Sequence, residues 1–119
     1  MTLRSPIPIL LLLSAGACAS AGAPSSGKAE SSSAAIRAAE EVGATHSPTA
    51  ALHLQLAKEE YEHARTMTGS KDREWADRLL MRAQVDAELS LALARGENEK
   101  NEATQAIHQV KALKQSATP

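Results

Sequence analysis

The stretch SPTAALHLQLAKEEYEHARTMTGSKDREWADRLLMRAQVDAELSLALA, residues 47–94, decides the fold. In its first half Ala50, Leu54, Ala57, Tyr61 and Ala64 recur at steps of four and three; in its second half Ala76, Leu79, Leu80, Ala83, Ala87 and Leu91 do the same. Those steps place each set on one face of an α-helix, with Leu56 and Met67 widening the first. Ser47-Pro48 supplies a cap followed by proline at the first helical position, where the missing N–H has no partner to lose. Gly69-Ser70 breaks the pattern, and Asp72 and Glu74 bring negative charge to the start of the next helix, where the helix dipole favours it. Two helices result, from Pro48 to Met67 or Thr68 and from about Lys71 to at least Ala94. Alanines along their seam let the backbones approach to the low end of the usual spacing of roughly 8–10 Å.

On the N-terminal side, the residues after Ser33 predict a helix from Ala34 to about Val42, with Ser33 as its cap and Gly43 closing it in the left-handed conformation. On the C-terminal side, residues 95–102 are polar all round, and Ala103, Ile107, Val110 and Leu113 then resume a helical stripe. Gly96 costs about 1 kcal/mol relative to alanine and no proline accompanies it, so the helix is expected to continue as a rod of roughly 66 Å. Helix two is too short to cover that stripe, so Ile107, Val110 and Leu113 need a partner, from helix one or from another chain.

The whole chain of 119 residues has 13 Lys+Arg against 14 Asp+Glu, which leaves no net positive charge to hold a polyanion, so nucleic acid is not an expected partner. Tyr61 and Trp75 are its only aromatic residues and 24 residues are alanine, which excludes an aromatic-cored β-sandwich and a base-stacking platform. The expected fold is all-α: an antiparallel helical hairpin with a short preceding helix and a long C-terminal helix, over residues 34–114, with 115–119 as a disordered tail.

Ahead of this domain, Arg4 is followed by an uncharged apolar run centred on Ile9 to Leu13, the pattern of a signal peptide and too short for a permanent span of roughly 20 residues. Ser14-Ala15-Gly16-Ala17 then places small side chains before Cys18, the only cysteine. This resembles a bacterial lipobox, although Ala15 stands where leucine is commonest. The resemblance implies removal of residues 1–17 and acylation of Cys18, and Ala19 in place of Asp favours the outer membrane over the inner. An ordinary small-x-small cleavage site, leaving a soluble periplasmic protein, is the alternative. Residues 19–33 carry no apolar side chain larger than alanine apart from Pro24 and are expected to form a flexible tether.

Ala35 and Ala38, Gly43-Ala44, Ser47-Pro48, Leu54, Ala57, Tyr61, Ala64, Gly69, Ala76, Leu80, Ala83 and Asp86-Ala87 together resemble the alanine-rich bacterial envelope family catalogued as domain of unknown function 4398. The resemblance covers about residues 34–94, with Ser47-Pro48 standing where the family has Ala-Pro. It implies a helical hairpin on a lipoprotein. Some members carry a peptidoglycan-binding domain like that of outer membrane protein A; nothing in these residues matches one, so that function is not carried over. The family supplies no catalytic residue to transfer.

Residues able to carry chemistry are sparse. Glu60-x-x-His63, with Glu59 beside it, has the spacing of half a carboxylate-bridged di-iron site, but His108 is preceded at that distance by Gln105, so the set is incomplete and a solvated face is expected. His46, His53, His63 and His108 share no metal-ligand spacing, and a pH response is their more interesting reading. No nucleophile elbow or phosphate loop occurs, so neither catalysis nor a cofactor is expected. Trp75 is expected to plug the core beneath the Gly69-Ser70 turn, an exposed anchor for a partner being the alternative. Arg73, Arg78 and Arg82, with Asp77, Asp86 and Glu88, are expected as mixed-sign pairs on a solvated face. The leading functional expectation is an outer-membrane-anchored lipoprotein acting as a structural or adaptor helical module, through an envelope protein partner or self-association. The alternative is a periplasmic small-ligand or metal binder using Glu59, Glu60 and His63.

Overall fold

A computed structural model describes residues 24–117 as three α-helices and one short 3₁₀ turn: α1 (Ser26–Glu41), the turn at Ala44–His46, α2 (Pro48–Thr66) and α3 (Arg73–Ser116). Helices α2 and α3 form the expected antiparallel hairpin, and α1 packs along both. Ser25 lies against Asp77 and Val42 against Asn98, so α1 runs parallel to α3. The arrangement is therefore up, down, up, with the third helix far outrunning the other two.

The core follows the predicted periodicity except at Leu56, which is exposed instead of widening the α2 stripe. Ala50, Ala57 and Ala64 of α2 and Ala76, Ala83 and Ala87 of α3 are each 0 % exposed, with Leu54, Leu79 and Leu80 supplying most of the bulk. Ile36 and Ala39 complete the core from α1. Tyr61 lies half-buried along its edge. Gly43 takes φ +79°, ending α1 in the left-handed region that glycine tolerates at no steric cost. A Cβ there would also stand 2.9 Å from His46 Nδ1, so the turn has no room for alanine. Pro48 occupies the first turn of α2, and the Ser47 side chain makes no capping hydrogen bond, leaving proline as the operative start signal.

Four expectations are corrected. Helix α1 starts at Ser26 instead of Ala34, so of the expected tether only residues 19–23 lie outside the described part. Its serines enter the helix because Ser31, Ser32 and Ser33 each donate to a carbonyl three or four residues back, and Ser32 is wholly buried in that state. Trp75 is not a core plug: it is 47 % exposed, with the Arg78 guanidinium 5.5 Å from its ring centre. One turn into α3 its side faces away from α1 and α2, and Leu79 and Leu80 fill the interior there. Asp77 and Asp86, finally, leave the solvated face and turn to the neighbouring helices, as described below. The helix also runs two residues past the expected domain end at 114.

Because Ala83 is wholly buried at the seam, Ala83→Leu should destabilise the protein by about 1–3 kcal/mol, whereas Ala112→Leu, on an exposed turn, should change stability by less than about 0.5 kcal/mol. Urea unfolding followed by circular dichroism measures both.

Candidate docking surface

The last buried residue of α3 is Ala94; from Glu97 to Ala117 every residue is exposed. The helix is intact across this boundary, passing Gly96 without a break, so about 30 Å of rod projects beyond the hairpin. Ile107, Val110 and Leu113 stand on it 56 %, 51 % and 67 % exposed, side by side at steps of three. Ile107 and Val110, with Ala106, Lys111 and Lys114, line a shallow depression of about 360 Å³. Helix α1 ends level with Asn98 and does not reach them, which removes the possibility of cover in cis from among the described helices.

What holds the rod in place is a set of polar contacts made by α3 to both ends of α1. Helix α1 has no acidic residue in its first turn and no basic residue in its last, so its dipole is uncompensated by its own sequence. Asp77 supplies the missing charge: its Oδ1 accepts from the Ser25 N–H at 2.9 Å and the Ser25 hydroxyl at 3.1 Å, and Oδ2 accepts from Lys28 Nζ at 3.1 Å. The Ser25 amide, with Lys28, holds the Asp77 carboxyl below the ordinary aspartate range. At the other end Asn98 Nδ2 donates to the Val42 carbonyl at 3.1 Å. Sequence reading missed both, since they cross from one helix to another more than 50 positions away.

The α2–α3 seam has its own polar row. Ser90, wholly buried, donates to the Ala50 carbonyl at 2.7 Å, and His53 Nδ1 lies 2.9 Å from Asp86 Oδ1, so His53 does have a partner. Glu60 pairs with Arg82, but its second oxygen, Oε2, is buried with no hydrogen-bond partner. Burial pushes the Glu60 carboxyl above the ordinary glutamate range; the Arg82 charge opposes this and the Asp86 carboxylate adds to it.

The residues of the rival ligand reading do not converge. Glu60 turns to α3, Glu59 accepts from Gln55 at 2.8 Å, and His63 is exposed. Among the described residues no three His, Cys, Asp or Glu side chains stand close enough together to hold a metal ion. Cys18 lies outside the described residues, and none of the described helices is long and apolar enough to cross a membrane.

Fold and surface thus define a class: an alanine-seamed, all-helical protein in which a three-helix base carries a projecting apolar-striped rod. The profile of the Domain of unknown function (DUF4398) matches residues 28–106, most of the chain, and the protein belongs to that family. The match starts near the observed beginning of α1 and runs into the projecting part of α3. No curated protein and no solved structure matches the chain.

The two shifted carboxyls make opposite predictions. Asp77, depressed in the fold, contributes stability above its unfolded pKa that is lost as pH falls through the folded value, so Asp77→Asn should lower the urea midpoint at pH 7 and not at pH 2. Glu60, raised in the fold, contributes most below its unfolded pKa and loses that contribution as pH rises through the folded value. Glu60→Gln should therefore raise the midpoint at pH 8 relative to the parent and lose that advantage at pH 3.

Proposed function

We propose that this protein is a lipid-anchored structural or adaptor module of the bacterial envelope, tethered through Cys18 to the periplasmic face of the outer membrane and docking through Ile107, Val110 and Leu113. The observation that carries the docking role is the rod itself: three large apolar side chains held in water on a continuous helix beyond the reach of their own domain. Their exposure forgoes several kcal/mol of burial, at about 25 cal/mol per Å² of apolar surface, which a partner surface recovers. The anchor rests on the apolar run before Ser14-Ala15-Gly16-Ala17-Cys18. Three acyl chains exceed the marginal, reversible hold of a single one, so such an anchor needs no spanning helix.

Changing Ile107, Val110 and Leu113 together to serine should leave helicity and the thermal midpoint close to those of the parent while abolishing crosslinks to partner chains in intact envelopes. A large fall in the midpoint of the monomer would instead make the stripe part of the core. For the anchor, mass spectrometry of the membrane fraction should find a chain beginning at Cys18 with acyl mass added, and Cys18→Ala should release it; an unmodified chain beginning near Gly22 rejects the lipoprotein reading.

A further inference from the structure

The apolar stripe does not begin at Ile107. Along the outer side of α3, where Leu89, Ala92 and Gly96 border Ser47 and Thr49 at the start of α2, a row runs at alternating steps of three and four from Val85 through Leu89, Ala92, Gly96, Glu99, Ala103 and Ala106 to Val110 and Leu113. Val85 is 64 % and Leu89 42 % exposed although both lie on the packed part of the helix, and a Cβ at Gly96 would meet nothing within 4 Å. Steps averaging 3.5 residues are those of a helix that pairs with another along its length. The row therefore joins the base and the rod into one seam.

We infer that the occupant of this seam is a second copy of the same chain, its α3 antiparallel to the first, with the two-fold axis between Gly96 and Glu99. The inference rests on the docking role proposed above and names the partner. Charge decides both the partner's direction and its register. A parallel, in-register pair sets Glu99 against Glu99 and Arg82 against Arg82, and brings Arg95 beside Lys100 of the partner subunit, so like charges meet at each. The antiparallel pair sets Arg95 beside Glu102 of the partner subunit, twice by symmetry, and lays Glu99 over the open face of Gly96. Sliding the antiparallel pair by one heptad towards the rods brings Glu102 against Glu102 and Lys100 against Lys100.

In this register Val85 meets Val110, Leu89 meets Ala106 and Ala92 meets Ala103, each contact made twice. Ile107 falls to one side of the row, over the groove in which Leu89 and Leu93 of α3 lie beside Thr49 of α2. The rod of each copy thus covers the bare flank of the other's hairpin. From Arg82 to Leu113 the overlap is about 48 Å long and about 10 Å wide, roughly 1,000 Å² over both chains, the lower bound for a biological interface.

The test uses the full chain with Cys18→Ser, so that each introduced thiol stands alone. Chains carrying Ala92→Cys and Ala103→Cys, mixed and oxidised, should form a disulfide-linked dimer, and each alone should form at least about tenfold less. Efficient dimerisation of Ala103→Cys by itself means a parallel pair and overturns the inference. In sedimentation equilibrium, Arg95→Glu and Glu102→Arg should each weaken association by about tenfold, and the two together should restore it. A protein that stays monomeric at about 100 μM also overturns it. If such a monomer still loses its envelope crosslinks on the triple serine change, docking by Ile107, Val110 and Leu113 stands and only the second copy as occupant falls.

Discussion

Everything in this fold depends on methyl groups meeting across a seam that large side chains enter only at Leu54, Leu79 and Leu80. Alanine at most contact points of α2 and α3 lets the two backbones come together, and close backbones make many weak contacts with few large side chains. The cost is a thin core. Burial at about 25 cal/mol per Å² yields little from alanine, so the four larger residues Ile36, Leu54, Leu79 and Leu80 carry a disproportionate share. Polar contacts between helices then matter more than in a thick core, and they occur along the whole seam, from Ser90 at one end to Glu60 at the other.

Helix α3 organises the rest. It touches α1 at both ends, and it supplies at each end the group that α1 lacks: a carboxylate at the start, an amide donor at the finish. A helix of 16 residues rich in serine is marginal by itself in water. Its order is thus conferred by its neighbour, through Asp77 and Asn98, as much as by its own sequence.

How much of this could be read beforehand follows from the range of each signal. The hairpin, its turns, the uninterrupted passage through Gly96 and the exposed stripe were legible because each depends on residues a few positions apart. The first two turns of α1 were not, since serine and Gly27 are poor helix formers and their compensation comes from Asp77, about 50 residues away. One signal was present: Ala29 and Ser32 continue the small-residue spacing backwards from Ile36 and Ala39, visible to a reader counting size instead of hydrophobicity. Trp75 was misplaced because volume alone suggested the core, whereas its position in the helical repeat puts it on the outer side. Asp77 and Asp86 looked like partners for nearby arginines, yet both turn across a helix boundary.

The nearness of Ala94, the last buried residue of α3, to Gly96 and to Asn98, the last residue bonded to another helix, has a mechanical meaning. A beam clamped at one end carries its greatest bending moment where the clamp stops, and that point lies at Asn98, two positions past the residue with the weakest preference for the helical state apart from proline. Deflection of the rod is concentrated at its root, and a tilt of about 10° there sweeps Leu113 through roughly 5 Å. The stripe behind that root is fixed to the hairpin, while the stripe ahead of it searches an arc, so a single helix offers a rigid half that sets direction and a compliant half that adjusts to what it meets.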